Sequence, residues 1–173
     1  LAEPPSGPGR VREGWSTSTA VNFVATAFPA VRMDHEDAAA LAVVAKLLRS
    51  LYLHREIREK GGAYGGFALY NSEDGVFGLA SYRDPRVAAT LEVFGRAGDF
   101  IRGGFSETDV KEAILQVCSE IDKPEPPGPT ARKAFFRKIV SLSDELREGF
   151  KQRLLALTRS TVLAAAERHV GEG

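Results

Sequence analysis

Apolar residues alternate with a period of two in three short stretches of the chain and recur every three or four residues in most of the rest. The period of two predicts strands at 18–28, 63–70 and 76–82. The helical spacing predicts helices at about 35–60, 87–103, 107–121, 131–142, 144–157 and 159–169. Residues 71–75 are turn formers, so the last two strands should form an antiparallel hairpin. The pattern predicts an α+β domain with a mainly antiparallel sheet and helices packed on one face.

The two hairpin strands have unlike faces. Phe67 and Leu69 alternate with Gly66 and Ala68, and the following strand repeats this alternation of bulky and small residues. A bulky face can pack on helices, whereas a face of glycine and alanine leaves open space. We interpret the small-residue face as room for a guest molecule.

The long helix ends at a charged residue. The apolar stripe of Val44, Leu48 and Leu51 continues through Arg55 to Arg58, which predicts that the Arg58 guanidinium lies on the inward face. Paired glycines then allow a sharp turn, and Tyr64 stands at the mouth of the next strand. Arg58 and the Tyr64 hydroxyl should therefore lie near each other. On spacing alone, a helix-end cation and a strand aromatic with a solvent-exposed hydroxyl explain the pair better than a functional site does.

This region resembles a known family. The segment 56–66, EIREKGGAYGG, followed by 81–85, SYRDP, is similar to the C-terminal half of pitrilysin-type (M16) zinc metallopeptidases, and most of all to their presequence-protease branch. Supporting matches are VNFV at 21–24, DHEDAAAL at 34–41 and LAAAERH at 163–169. The resemblance covers most of the chain. It implies the α+β fold of M16 peptidase and LuxS-like metallohydrolase domains.

The resemblance also implies a function. It implies a peptidase built as a clamshell, with zinc held in the N-terminal half and with an Arg and a Tyr supplied to the cleavage site by the C-terminal half. Matched residue by residue, these are Arg58 and Tyr64. We further expect contacts with the peptide substrate at Gly65 and Gly66, and at Tyr82 and Arg83. For 82–84, a role at a strand end and helix cap is the alternative.

The histidine content limits what the chain does alone. It has three histidines and no His-x-x-Glu-His or His-Glu-x-x-His motif, so we expect neither catalytic zinc nor peptide cleavage from this fragment. Residues 34–37 could be read as metal ligands. Helix capping by Asp34 explains them better, because no second histidine lies nearby in sequence. A non-catalytic scaffold or partner subunit of an M16-like assembly is the alternative function.

Composition and charge narrow the remaining classes of function. With 23 basic and 23 acidic residues the chain has no net field for nucleic acid, and no apolar run is long enough to span a membrane. The absence of a signal-peptide pattern favours a cytoplasmic or organellar protein over a secreted one. The lone Cys118 fits a helix core better than a reactive thiol. We divide the chain, which begins at Leu1 as a fragment would, into a linker at 1–14 and the domain at 15–173.

Overall fold

The protein is a small sheet covered by helices. The computed structural model describes residues 11–170. Its strands are β1 (Asn22–Pro29), β2 (Gly65–Asn71) and β3 (Val76–Asp84), antiparallel and in the order β1-β3-β2. The α-helices are α1 (Ala38–Leu47), α2 (Val87–Gly95), α3 (Ala97–Gly103), α4 (Glu107–Ile121), α5 (Pro127–Ile139), α6 (Asp144–Leu155) and α7 (Arg159–His169). The predicted α+β class and the hairpin of β2 and β3 are confirmed.

Helices cover one face of the sheet. Val24, Phe77 and Leu79 are buried there, whereas Phe23 and Leu69 are exposed on the other face. The interpretation of the small-residue face is wrong for β2, where Gly66 and Ala68 lie on the helix-covered side. The register explains this, since Ala68 is paired with Leu79 and the small residues of one strand make room for the large ones of the next.

The long helix changes its winding halfway along. After α1 it continues as a π-type helix, Leu48–Glu59, here called the π segment. The Lys60 N–H donates to the Arg55 carbonyl five residues earlier, which is the bond of a π turn. The wider turns rotate the apolar stripe, so Leu53 and Ile57 are buried and Leu51 is 36% exposed. The predicted inward position of Arg58 is therefore wrong, and Arg58 is exposed.

Several predicted boundaries move. Asp34 does not cap α1, which begins after Asp37. The helix predicted at 87–103 is divided into α2 and α3 at Arg96. The Pro-rich stretch expected to be a loop contributes the first turn of α5, because proline has no N–H to lose at that position. The predicted capping box of Ser106 and Asp109 is confirmed.

The remaining predictions concern the ends of the chain and its single thiol. Residues 11–14 are exposed and form neither helix nor strand, and the rest of the proposed linker lies outside the described residues. Cys118 is partly buried against the core, as expected for a small packing residue. Across 11–170, none of the helices combines the length and the apolar character that crossing a bilayer requires.

Candidate functional site

A groove of about 400 Å³ lies along the end of the π segment and the start of β2. Four of the predicted site residues line it, namely Arg58, Tyr64, Gly65 and Gly66. Within 11–170, β2 is an edge strand of the sheet, so the groove lies beside an open strand edge. The groove is lined further by Lys46, Arg49, Ser50, His54, Phe67, Gln116 and Glu120.

Arg58 is held by its own helix. Its Nη1 donates to Nε2 of His54 at 3.3 Å, and Nδ1 of the same ring lies 3.4 Å from a carboxylate oxygen of Glu59. Among residues 11–170, no carboxylate lies within ion-pair distance of the Arg58 guanidinium. The guanidinium is thus oriented by a ring nitrogen, and its charge is left for a partner that enters the groove.

Tyr64 is positioned by the turn that precedes it. Gly62 has φ of +77°, a conformation that favours glycine. The Tyr64 N–H then donates to the Tyr82 carbonyl at 3.1 Å, which starts the pairing with β3. The Tyr82 ring meets the Tyr64 ring edge-on at 5.7 Å. The Tyr64 side chain is 68% exposed, so its hydroxyl is free to reach a ligand.

Tyr82 and Arg83, the other two predicted contact residues, lie at the end of β3. Tyr82 supports Tyr64 through the ring contact and does not line the groove itself. Arg83 is exposed, has φ of +51° and is likewise outside the groove lining. The structure therefore brings together Arg58, Tyr64 and the two glycines and leaves Arg83 apart.

The turn is braced by Arg86, a residue that sequence reasoning missed. Its guanidinium donates to the carbonyls of Lys60 and Gly61 at 2.8 and 3.1 Å, where the helix leaves unsatisfied acceptors. Arg86 is itself fixed by Asp84, which is 1% exposed and accepts hydrogen bonds from the Arg86 N–H and the Thr90 hydroxyl. The predicted helix cap at Asp84 is therefore displaced: the N-cap position of α2 is Arg86, which has no side-chain cap hydrogen bond, and Asp84 holds the start of the helix from two residues before it. No local pattern links Arg86 to Gly61, because they are distant in sequence.

We expect Asp84→Asn to lower the free energy of unfolding by about 1–2 kcal/mol, because one buried charge-assisted hydrogen bond becomes a neutral one. Chemical denaturation followed by circular dichroism measures the change. Exposed Asp74→Asn, at the tip of the hairpin, is the control and should change stability by less than about 0.5 kcal/mol. Equal effects in the two variants would contradict the bracing role of Asp84.

Sequence reasoning also missed the basic wall of the groove. The Arg49 guanidinium lies 5.2 Å from the centre of the Phe67 ring and, among residues 11–170, has no carboxylate within ion-pair distance. Lys46 is instead paired with Glu120 at 2.6 Å. A polar stripe could have revealed this wall, because residues 46, 50, 54 and 58 recur every four positions along the long helix.

The groove does not fit a catalytic zinc ion. Such an ion needs three nitrogen or oxygen ligands, and the groove offers His54 and Glu120 beside two unpaired guanidinium groups. Positive charge at this position disfavours a second cation and favours a carbonyl oxygen, an oxyanion or a carboxylate. The groove is suited to binding an acyl compound.

Comparison with known proteins decides the family. The sequence profile described as the PreP C-terminal domain matches residues 12–169. The chain belongs to the PreP C-terminal domain family. Relatives named mitochondrial presequence protease are 37% identical in Xenopus tropicalis, over all of this chain, and 47% identical in Yarrowia lipolytica, over 60% of it. The aligned part of the chain spans 17% and 11% of the length of those two proteins.

Solved structures agree on the fold. The peptidase M16 inactive domain from Pseudomonas fluorescens aligns with a TM-score of 0.69 at 19% identity, over 87% of this chain and 38% of that one. A chain of Complex III2 from Candida albicans aligns with a TM-score of 0.61 at 18% identity, over 88% of this chain and 41% of that one. At these identities the likeness concerns the fold alone, which is that of M16 domains.

Proposed function

We propose that this PreP C-terminal domain is part of a zinc metalloendopeptidase that degrades peptides in an enclosed chamber, and that it acts there through Arg58 and Tyr64. The observation that carries the proposal is that both side chains line one groove. Both also belong to the segment 56–66, whose resemblance to the M16 family implies a catalytic Arg and Tyr at these positions. The zinc ion is assigned to the N-terminal half of the parent enzyme.

The chemical role of the pair is electrostatic. As a peptide carbonyl is attacked, negative charge develops on its oxygen, and preorganised donors stabilise that charge in the transition state. The Tyr64 hydroxyl supplies one neutral donor. The Arg58 guanidinium supplies charged donors that His54 holds in place. Neither residue needs to exchange a proton in this role.

The glycines at the start of β2 complete the proposed peptide contacts. Gly65 and Gly66 line the groove at the start of β2, which is an edge strand, so we assign the approach of an extended substrate to this strand edge. Tyr82 supports the Tyr64 ring, and Arg83 is assigned a contact with more distant parts of a substrate. The partners proposed for this domain are therefore a peptide and the zinc-binding N-terminal half of the same enzyme.

The full-length parent protein should hydrolyse unstructured peptides, hold zinc and lose activity on treatment with a chelator. The 173-residue chain alone should show no hydrolysis, because its groove lacks the ligands for a catalytic ion. Peptide cleavage followed by mass spectrometry, with metal analysis of both proteins, tests this. Peptide cleavage by the short chain would contradict the assignment of the zinc site to the other half.

The scaffold alternative makes the opposite prediction for the parent protein. An M16-like fold also occurs in a chain of Complex III2, so the fold by itself does not require peptidase activity. A parent protein that lacks both an upstream His-x-x-Glu-His motif and peptide hydrolysis would favour the scaffold. The names of the relatives support the peptidase, and they favour an organellar compartment over the cytoplasm.

A further inference from the structure

Two of the three histidines meet at one buried carboxylate. One ring nitrogen each of His35 and His169 and one carboxylate oxygen of Asp37 all lie within 4.8 Å of one another. The Asp37 Oδ2 atom is 2.9 Å from the His169 nitrogen and 3.9 Å from the His35 nitrogen. The two rings are edge-on, with centres 5.9 Å apart. The sequence could not reveal this cluster, because His169 is distant from the other two residues along the chain.

Two helix ends bring the cluster together. His35 and Asp37 directly precede α1, and His169 is the last residue of α7. The two helices pack through small residues, since Ala38 and Ala39 on one side and Ala165 and Ala166 on the other are buried. The close approach sets the three side chains against one another at the edge of the core, away from the groove of Arg58 and Tyr64.

Helix capping does not explain why the Asp37 carboxylate is buried at the start of α1. Asp37 stands at the N-cap position, yet its side chain accepts no hydrogen bond from the first turn of α1. Instead Arg168 donates to both of its oxygens, at 2.6 and 3.0 Å, and His169 adds a third contact. Burial alone raises the pKa of Asp37, but the bonds from Arg168 and His169 outweigh it and hold the pKa below its ordinary value. The buried carboxylate therefore faces two imidazole rings and one guanidinium.

We propose that His35, Asp37 and His169 form a binding site for a divalent transition-metal ion, with Zn²⁺ as the best match. Two imidazole nitrogens and one carboxylate oxygen are a ligand set that zinc accepts, with water in the fourth position. Bond lengths of about 2.0–2.2 Å require ligand atoms about 3–4 Å apart. His35 is exposed, and its ring would have to turn so that Nδ1 gives up the hydrogen bond that it accepts from the Asp37 N–H at 3.0 Å.

Arg168 competes with a metal ion for this carboxylate. A metal ion at Oδ2 would displace the contacts that His169 and the Arg168 Nε make there. The Arg168 side chain is 54% exposed and can also move into solvent. Its positive charge weakens metal binding, so removing it should not weaken affinity. The bound ion would tie the end of α7 to the start of α1 and stabilise the domain.

The 173-residue chain, stripped of metal with a chelator, tests the site. Calorimetric titration with Zn²⁺ should show one equivalent bound, and the melting temperature should rise with Zn²⁺ concentration, as expected for a ligand of the folded state. With Co²⁺ in place of Zn²⁺, the visible spectrum should show the absorption of a four-coordinate site, with three protein ligands and one water. A chain that shows neither saturable binding nor a thermal shift would overturn the proposal.

Variants separate the site from adventitious binding. His35→Gln and His169→Gln should each weaken Zn²⁺ binding by more than about tenfold, since losing even a partner behind a ligand costs about 10- to 100-fold. His54→Gln, which changes the only other histidine, should leave affinity unchanged, and Arg168→Gln should keep or increase it. Circular dichroism confirms that each variant is folded. Equal weakening by His54→Gln, or loss of binding in a folded Arg168→Gln chain, would mean that the cluster is an ion-pair contact and not a metal site.

Discussion

Replacing Tyr64 by Phe or Arg58 by Ala in the full-length parent enzyme is expected to lower kcat by about 100- to 1,000-fold, the cost of one lost donor to a developing oxyanion. Because each donor acts most strongly in the transition state, kcat and kcat/KM should fall together. Steady-state hydrolysis of a fluorogenic peptide measures both. Folding and zinc content should be unchanged, since both side chains are exposed on the surface of this domain.

Two further variants define what the groove requires. Arg55→Ala removes an exposed guanidinium one turn earlier on the same helix and outside the groove lining, so it should retain full activity. Arg58→Lys keeps the charge but loses the planar fork of donors, and should recover only part of kcat. Unchanged turnover in both Tyr64→Phe and Arg58→Ala, with zinc bound, would remove the catalytic role of this domain.

Local patterns predicted the parts of the fold that local chemistry decides. The hairpin follows from its turn residues, where Asn71 accepts hydrogen bonds from the N–H groups of Glu73 and Asp74 and Gly75 has φ of +70°. The start of α4 follows from a capping box. Such features need only neighbouring residues, so they can be read from the sequence.

The errors arose where a helix departs from its ordinary period. An apolar stripe assigned with 3.6 residues per turn places Leu51 inward, whereas the π segment buries Leu53 and Ile57 instead. The same rotation puts Arg58 on the outside. The glycine turn predicts that Arg58 lies near Tyr64, and both residues line one groove.

Long-range contacts explain the rest of what was missed. Arg86 braces the turn through carbonyls of Lys60 and Gly61, and His169 reaches Asp37 across the domain. These pairs are created by packing, and neither has a spacing that a period could show. The sequence could therefore predict the residues that line the groove, Arg58 and Tyr64, but not Arg86, which holds the turn between them.

The close packing of β2 on the π segment makes Gly66 the most sensitive position of the groove. A Cβ atom there would lie 3.0 Å from the Leu53 carbonyl oxygen and 3.0 Å from the Ile57 Cβ. Both neighbours belong to the buried side of the π segment and cannot turn away. We expect Gly66→Val to lower the free energy of unfolding by about 3 kcal/mol, the upper end of the usual cost of overpacking. Urea unfolding followed by circular dichroism measures this.

Gly65→Val is the matched control, because it makes the same change one residue earlier on the opposite face of β2. The Cβ atom of this variant would also come within 3.0 Å of an atom, but that atom is the tip of the Phe67 ring, which can rotate towards solvent. The cost should stay below about 1 kcal/mol, since a β-branched residue suits a partly buried position on an edge strand. Equal destabilisation by the two variants would mean that the glycines serve the flexibility of the strand. A larger loss at Gly66 would show that the missing side chain is what lets β2 pack closely on the π segment, which places Tyr64 and Arg58 on one groove.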